Sequence, residues 1–470
     1  MTTSFRILLL FSFVLLGRPQ DILPFLQPFR PALVVTVLAI GAMVFSARRQ
    51  ELWAALSTPE SKRYLLFFLI MIVGIPFAAH RRLAFQYVFE VYIVNMVFFV
   101  FLVLQVTSLQ RLKSLVWVIC FSTLMYSFFG GVLQTRGDEV ERFAVLGGAF
   151  DPNDTAFVLT SLFPLCFYFV RFDEGLLKRL VAVGAIFSAI AVILLTGSRG
   201  GMLALGTVLL VLFLRKTDGI KRTHKMLFVV MLASAFLLMR DRIDLERYMT
   251  LFDLSSDYNV TSEGGRVTLW KAAIDLTLAN PITGVGVRMY SWAYYLAREG
   301  AGDSYLRWHT VHNSYLQISS ELGLVGFGVF MLIVLRSALT FLRVSRMPMR
   351  PETREASELR VLGGLMLVAF AGLSVAAIFL AQGYSILFTL YFALAAAIAR
   401  IEAGPDIRPR SFEGRAEVSQ GAVRAQWSRL SVEAGRNNCG LCESRNVRDL
   451  SASCPLGSIR SPHGDVRAGS

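Results

Sequence analysis

The sequence predicts an all-α integral membrane protein with about twelve transmembrane helices and one long outer loop that contains short amphipathic helices. Hydrophobic residues make up 55% of the 470 residues, a share that soluble domains rarely reach. Long apolar runs with few charges recur along the chain, and Lys and Arg collect in the loops on one side of the predicted spans. These observations predict a core that is buried in lipid as well as in protein.

Apolar segments of roughly 14–24 residues account for the predicted spans. They cover residues 5–16, 31–46, 64–79, 84–107, 114–134, 154–170, 180–196, 201–214, 226–239, 322–342, 361–381 and 385–400. The first segment lacks a small-x-small cleavage site and further spans follow it, so we interpret it as a retained first helix rather than a signal peptide. The first, eighth and ninth segments are short for a full bilayer, which fits tilted or partly re-entrant helices.

The distribution of basic residues predicts the orientation of the spans. With the N-terminus inside, the short inner loops carry nineteen Lys and Arg residues and the opposite short loops carry seven. This asymmetry predicts that both termini are cytoplasmic. It also accounts for the net charge of +14 without a nucleic-acid partner.

These patterns divide the chain into four parts. Residues 1–239 hold transmembrane helices one to nine, residues 240–312 form the long outer loop, and residues 313–400 hold the last three helices. Residues 401–470 are rich in Arg, Ser and Gly and predict a disordered cytoplasmic tail. A connection as long as residues 240–312 is usually functional in a compact membrane domain.

Part of the outer loop has the periodicity of a helix. Apolar residues follow a spacing of three or four positions from Val267 to Leu278, through Trp270 and Ile274, and the Asn280–Pro281 pair ends this run. The next aromatic stretch, "MYSWAYYLA" at 289–297, is typical of a membrane–water interface. We therefore expect the loop to lie on the bilayer surface with its apolar side towards lipid.

Three arginines stand next to glycines in this part of the chain and are candidates for binding phosphate. Arg199 lies in "LLTGSRGGMLALG" between two apolar segments on the outer side, Arg266 opens the predicted loop helix in "SEGGRVTLW", and Arg288 follows "GVGV". Glycines allow a ligand to approach the backbone, a helix N-terminus favours anions, and guanidinium matches phosphate oxygens. The structural alternative is a plain turn with an outward-pointing arginine at Arg199 and a solvated loop arginine at Arg266, and Arg288 is the weakest of the three candidates.

Two of the five histidines, His309 and His312, stand at the end of the outer loop in "HTVHNSYLQISSELGLVG". A neutral histidine at a membrane surface can act as a general base near pH 7, although a role in hydrogen bonding alone is also open. Glu321 follows at the start of the next span, where it could orient a histidine or face water. A metal site is not expected, because zinc needs three or four ligands and no familiar spacing is present here or around the tail cysteines.

The chain resembles the O-antigen ligase and polymerase superfamily of bacterial membrane glycosyltransferases. The resemblance rests on four motifs in the family's order, and it covers roughly residues 1–400. They are "DPNDTAFVLTSLFPL" (151–165), "LLTGSRGGMLAL" (194–205), "GGRVTLWKAAIDLTLANPITGVG" (264–286) and "HNSYLQISSELGLVG" (312–326). It implies an inverting enzyme of the inner membrane whose active site is periplasmic and which needs no metal or cofactor. Such enzymes move a glycan from an undecaprenyl-diphosphate carrier to a hydroxyl of lipid A–core, of a glycan or of a protein.

The resemblance assigns roles to three residues of this chain by motif. His312 matches the histidine of the "HN" pair, Arg199 the arginine of "SRGG", and Arg266 the loop arginine that follows the glycines. The family often has a second histidine two residues before the "HN" histidine, whereas His309 stands three before, so its role is open. Candidates for substrate binding are Arg288, His309, Asn313 and Glu321.

Rival functions remain for this sequence. A polymerase or a protein O-oligosaccharyltransferase would use the same donor and similar residues, and only the acceptor would differ. A transporter of polysaccharide or lipid also fits about twelve spans with charges among them, although a transporter should place such charges near the membrane midplane. The candidate residues gather on the outer side instead, which favours chemistry on a membrane-bound donor.

Overall fold

The computed structural model describes residues 2–46, 49–131, 151–172, 174–215, 265–299, 309–347 and 353–402. The described residues all belong to one compact unit, Met1–Arg408. The predicted span at 226–239, most of the predicted tail and the loop residues 240–264 and 300–308 lie outside the described residues.

Every regular element in the described residues is helical. The first group is α1 (Thr3–Gly17), α2 (Pro19–Ile22), α3 (Pro31–Ser46), α4 (Arg49–Leu56), α5 (Pro59–Gly74), α6 (Arg81–Gln86), α7 (Ile93–Gln105) and α8 (Leu109–Gly131), with a π-helix at Tyr87–Tyr92 that joins α6 to α7. The second group is α9 (Pro152–Leu162), α10 (Phe167–Arg171), α11 (Leu176–Leu195) and α12 (Arg199–Leu214). The third is α13 (Arg266–Ala279), α14 (Tyr290–Glu299), α15 (Ser314–Ser345), α16 (Arg354–Ala376) and α17 (Ile386–Glu402).

Several helices in the described residues are long enough to cross a membrane. Five helical segments in the described residues have the length and apolar composition of a span, or six if the bent pair α3 and α4 is one span. They are Arg81–Gln105, Pro152–Arg171, Leu176–Leu195, Ser314–Ser345 and Arg354–Phe379. The all-helical prediction is confirmed, and the predicted number of about twelve spans is not. Five predicted spans correspond to α1, α3, α5, α12 and α17, which have 15, 16, 16, 16 and 17 residues and so fall short of the roughly 20 that a bilayer requires.

The core is built around α16. This helix packs against α12 on one side and α15 on the other, while α8 packs against both α1 and α11. Aromatic rings fill the space between α15, α16 and α17: the Phe330 and Phe388 rings meet edge to face with centroids 5.2 Å apart, and the Phe370 ring meets that of Phe388 with centroids 6.4 Å apart. The buried Tyr64 hydroxyl bonds the Tyr92 hydroxyl at 3.0 Å and the Thr389 hydroxyl at 2.9 Å, which satisfies these polar groups inside the apolar core.

The predicted loop helix is present as α13, which ends at Ala279 directly before the Asn280–Pro281 pair. Its buried side carries Leu269, Ala273 and Thr277, which share one face at a spacing of four residues. The apolar stripe identified in the sequence lies on a more exposed side, with Ile274 46% and Leu278 68% exposed. This second apolar side is available for lipid, as the expected position on a bilayer surface requires.

A break in α15 joins this span to the loop before α14. Gly323 has φ 68° and ψ −176°, so the helix is interrupted there and the carbonyl groups before the break lose their helical partners. The Ser320 and Glu321 carbonyls accept instead from the N–H groups of Val285 and Gly286, both at 2.9 Å. On the other side of the break, the Leu324 N–H donates to the Pro281 carbonyl at 2.7 Å. Segment 281–286 therefore lies in the Gly323 break like a short paired strand.

Glycines at the Gly323 break permit the close approach of the two backbones. A Cβ atom on Gly284 would lie 2.4 Å from the Glu321 carbonyl carbon, and one on Gly323 would lie 2.5 Å from the Ile282 carbonyl oxygen. Gly286, with φ 101°, approaches Ala78 so closely that a Cβ atom would lie 2.3 Å from the Ala78 Cβ. The glycines of "TGVG" and "ELG" thus allow the loop to pack closely against α15 and against Ala78, which lies between α5 and α6.

We expect Gly323→Ala to destabilise the protein by about 2–4 kcal/mol, because it combines a backbone conformation open almost only to glycine with a steric clash. Thermal unfolding in detergent measures the effect. Gly328→Ala is the matched control on the same helix, since its Cβ would meet nothing within 4 Å. Equal unfolding temperatures for the two variants would contradict the close packing at the break.

Candidate functional site

His312 stands immediately before α15 in an unusual backbone conformation. Its φ is 47°, in the left-handed region, which histidine enters more readily than most residues but which still suggests a constrained position. The ring Nε2 lies 3.2 Å from the Thr310 hydroxyl. Asn313 follows as the N-cap of α15, and its Oδ1 accepts from the N–H groups of Tyr315 at 2.9 Å and Leu316 at 3.1 Å. Because His312 adjoins a well-formed cap, its backbone position is fixed by α15.

Three charged or titratable side chains act on the His312 ring. Burial lowers the His312 pKa from its ordinary value of 6.5, and the positive charge of Arg266 lowers it further, as does His309 to a smaller degree. Asp151 acts in the opposite direction. The ring is therefore neutral at pH 7 and able to accept a proton. We call His312, Arg266, His309 and Asp151 the His312 cluster.

Arg266 is the first residue of α13 and follows the N-cap Gly265, which supplies no side-chain cap. The dipole of this helix adds positive character at its N-terminus to that of the guanidinium. The Arg266 guanidinium lies 6.0 Å from the centre of the Phe379 ring. This arrangement places a cation and a helix N-terminus beside a neutral histidine.

Arg199 is also the first residue of a helix, α12, but this helix has a side-chain cap. Ser198 is the N-cap, and its Oγ accepts from the Gly201 N–H at 3.1 Å. The neighbouring glycines permit close packing, since a Cβ atom on Gly200 would lie 2.8 Å from the Phe379 Cβ. Phe379 thus packs against Gly200, the neighbour of Arg199 in the chain, and its ring also lies near the Arg266 guanidinium.

The remaining candidate residues make contacts of their own with the loop and with α14. The His309 carbonyl accepts from the Ser291 hydroxyl at 2.7 Å, and its ring meets the Tyr294 ring edge to face at 6.2 Å, so His309 ties the end of the loop to α14. Arg288 and Glu321 lie together: the Glu321 carboxylate accepts from the Arg288 N–H at 2.7 Å. Glu321 is not among the groups that act on His312. Substrate binding by Arg288, His309, Asn313 and Glu321 stays a prediction.

Sequence reasoning missed several residues around the His312 cluster. Asp151 is the N-cap of α9, accepting from Asn153 at 2.7 Å and Asp154 at 2.9 Å, and "DPND" signals this cap but not its proximity to His312. The Gln382 amide donates to Asp154 at 2.9 Å, and its backbone N–H donates to the Ser314 hydroxyl at 3.0 Å. No sequence signal could have identified Gln382 or Phe379, because their roles come from contacts distant in the chain.

Within the ranges that the structure describes, no group of three or more His, Cys, Asp or Glu side chains could hold a metal ion. The tail residues Cys439, Cys442, Cys454 and His463 lie outside those ranges. The positive charge that the His312 cluster offers to an anion is that of the Arg266 side chain and of the helix N-terminus at which Arg266 lies.

We expect Arg266→Gln to raise the pKa of His312, because it removes a positive charge that disfavours the imidazolium form, while burial keeps the value below 6.5. NMR titration of the histidine rings measures the shift. Arg288→Gln is the matched control, since Arg288 is not among the charges that act on His312. An unchanged or lowered pKa in Arg266→Gln would contradict the proximity of these two side chains.

A family model described as O-antigen ligase matches residues 184–331. The matched range contains Arg199, Arg266, His309 and His312 and extends through the Gly323 break in α15. No curated protein matches the chain.

Proposed function

We propose that this protein transfers a glycan from an undecaprenyl-diphosphate carrier to an acceptor hydroxyl, with inversion at the sugar. The match of residues 184–331 to a family model described as O-antigen ligase supports this proposal. The family comprises membrane glycosyltransferases of the ligase and polymerase type, and the apolar helices fit a multi-pass membrane protein. We place the reaction on the periplasmic side of the bacterial inner membrane, with both termini in the cytoplasm.

The observation that carries the proposal is the neutral, partly buried ring of His312 next to the charge of Arg266. A general base must be unprotonated at the working pH, and a lowered pKa provides that form. In the proposed step, the acceptor oxygen attacks the anomeric carbon and its proton passes to His312. The bond between that carbon and the diphosphate oxygen breaks, and undecaprenyl diphosphate leaves.

The two arginines at helix starts suit the leaving group. Negative charge grows on the diphosphate as the bond breaks, so cations placed near it stabilise the transition state more than the ground state. Arg199 opens α12 and Arg266 opens α13, and each adds a guanidinium to the N–H groups of a helix N-terminus. We propose that these two residues bind the diphosphate and that no divalent cation is needed.

The transporter alternative is weakened by the Gly323 break. Broken helices in transporters leave free carbonyl groups and helix ends that coordinate an ion or a substrate. Here the backbone groups at the break are paired with segment 281–286. The Val285 and Gly286 N–H groups donate to carbonyl groups of α15, and the Pro281 carbonyl accepts from an N–H group of α15. This backbone pairing supports a structural role for the break.

The acceptor separates the members of this superfamily, and lipid A–core, a growing glycan and a protein all remain open as acceptors. We propose ligation as the main reading, with polymerisation and protein glycosylation as alternatives. Deletion of the gene tests them directly. Loss of glycan from lipopolysaccharide supports a ligase, a change of chain length supports a polymerase, and loss of a glycoprotein supports a protein transferase.

We expect His312→Ala to lower the transfer rate by about 100-fold or more, because the acceptor proton loses its base. Membrane insertion should be intact, and glycan transfer in cells and by purified protein measures the effect. His80→Ala is a suitable control, since His80 also stands at a helix start, where its Nδ1 accepts from Leu83 at 3.3 Å. Full transfer by purified His312→Ala protein would contradict the catalytic role.

We also expect transfer to continue in excess chelator, because arginine charge is proposed to stabilise the diphosphate. The measurement is the transfer rate with EDTA, compared with the same reaction supplemented with Mg²⁺ or Mn²⁺. A loss of transfer that either cation restores would contradict stabilisation by arginine alone.

A further inference from the structure

Glu321 is a buried carboxylate that the proposed chemistry does not use. It lies in α15, two residues before Gly323, and is only 2% exposed. Its Oε2 accepts from the Arg288 N–H at 2.7 Å, and its Oε1 accepts from the Tyr290 N–H at 3.3 Å. Tyr290 is the first residue of α14. Glu321 therefore satisfies N–H groups at the start of a helix that belongs to a different part of the chain.

The carboxylate also fixes an uncommon conformation at Arg288. This residue has φ 59°, in the left-handed region that arginine seldom adopts. It follows the tight contact of Gly286 with Ala78, and the Glu321 oxygen holds its N–H. A strained residue persists only where its surroundings over-determine it, and such residues concentrate at sites of function.

The Arg288 side chain is exposed, and its guanidinium lies 5.4 Å from the centre of the Tyr87 ring. A cation at this distance over an aromatic face is attracted to the ring, which restricts where the guanidinium can lie. Tyr87 is the first residue of the π-helix between α6 and α7. Single π-helical turns within α-helices frequently occur at functional sites.

Tyr87 forms part of the wall of a cavity of about 960 Å³. The cavity is large enough to hold part of a lipid-linked substrate, since ligand cavities are commonly about 300–1,000 Å³. Its wall combines apolar side chains such as Leu16 and Val94 with polar ones such as Arg30 and Gln382. Gln382 also bonds Ser314, two residues after His312, so one residue contributes to the cavity wall and to the start of α15.

We propose that Glu321 is a positioning residue that holds Arg288 next to Tyr87, which lines this cavity, so that the Arg288 guanidinium binds a phosphate of the lipid-linked substrate. This inference rests on the proposed function, because it takes a diphosphate-bearing lipid as the substrate. Guanidinium recognises phosphate through directed hydrogen bonds, so its orientation matters as much as its charge.

A purely electrostatic role for Glu321 predicts the opposite effect on binding. The charges of Glu321 and Arg288 act on each other, so removal of the carboxylate without movement of Arg288 would strengthen the attraction of Arg288 for an anion. If Glu321 instead positions Arg288, its removal would weaken the binding of the anion by Arg288. Glu321→Gln separates the two, because glutamine has nearly the same shape but only one acceptor oxygen for two N–H donors.

The experiment measures the dissociation constant of undecaprenyl diphosphate for the full chain in lipid nanodiscs. The proteins are the wild type, Glu321→Gln, Arg288→Ala and the double variant. We expect Glu321→Gln and Arg288→Ala each to weaken binding on the order of tenfold, and the double variant to bind no more weakly than Arg288→Ala alone. We also expect faster hydrogen exchange of the Arg288 and Tyr290 amides in Glu321→Gln.

Glu358→Gln is the matched control for loss of a buried carboxylate. Glu358 is 3% exposed and pairs with Lys113 at 3.1 Å and with Arg354 at 2.8 Å, far from Arg288 in the sequence. We expect it to lower the thermal stability without a change in the dissociation constant. Equal weakening in Glu358→Gln and Glu321→Gln would assign the effect to general damage and would overturn the positioning role.

The outcomes separate this inference from the proposed function. Unchanged or tighter binding by Glu321→Gln would overturn the positioning of Arg288 while leaving the donor assignment in place. The same follows if the double variant raises the dissociation constant by the product of the two single effects. Absence of binding by the wild type would overturn the donor assignment and, with it, the inference.

Discussion

The site depends on the backbone pairing of segment 281–286 with the Gly323 break in α15. Three backbone hydrogen bonds join segment 281–286 to α15 there. They replace the helical hydrogen bonds that the break removes from a candidate membrane span. Unsatisfied backbone groups in an apolar environment cost several kcal/mol each, so the loop and the helix stabilise one another. The same pairing fixes the end of α13 and the start of α14 relative to α15, the helix that His312 precedes.

The side chains proposed to act in the reaction have one feature in common, which is that each lies at the start of a helix. Arg199 opens α12, Arg266 opens α13, and His312 directly precedes the cap of α15. Helix N-termini attract anions through free N–H groups and the dipole, so a diphosphate suits them. The same positive surroundings, together with burial, keep the pKa of His312 low, which leaves its ring neutral as a base. One arrangement of charge thus supports both proposed roles.

The acidic residues near these cations have separate tasks. Asp151 caps α9 and offsets part of the positive charge around His312. Glu321 caps the start of α14 from a different helix and holds the Arg288 backbone. In both cases a carboxylate accepts two backbone N–H groups, and Glu321 does so while buried, whereas Asp151 is exposed. The carboxylates therefore organise the backbone, while the arginines and the histidine face the proposed chemistry.

The sequence by itself determined the membrane class, the helical start at Arg266 and the end of α13 before Asn280–Pro281, because apolar runs, caps and breakers act over a few neighbouring residues. The number of full spans stays a prediction, because five or six described segments have the length and composition of a span and the predicted span at 226–239 lies outside the described residues. The sequence also pointed to Arg199, Arg266 and His312 through motif order. Only the tertiary structure decided which side chains meet. The contact of Phe379 with the turn at Gly200 and the bonds from Glu321 to the loop join residues distant in the chain, and no local pattern records such contacts.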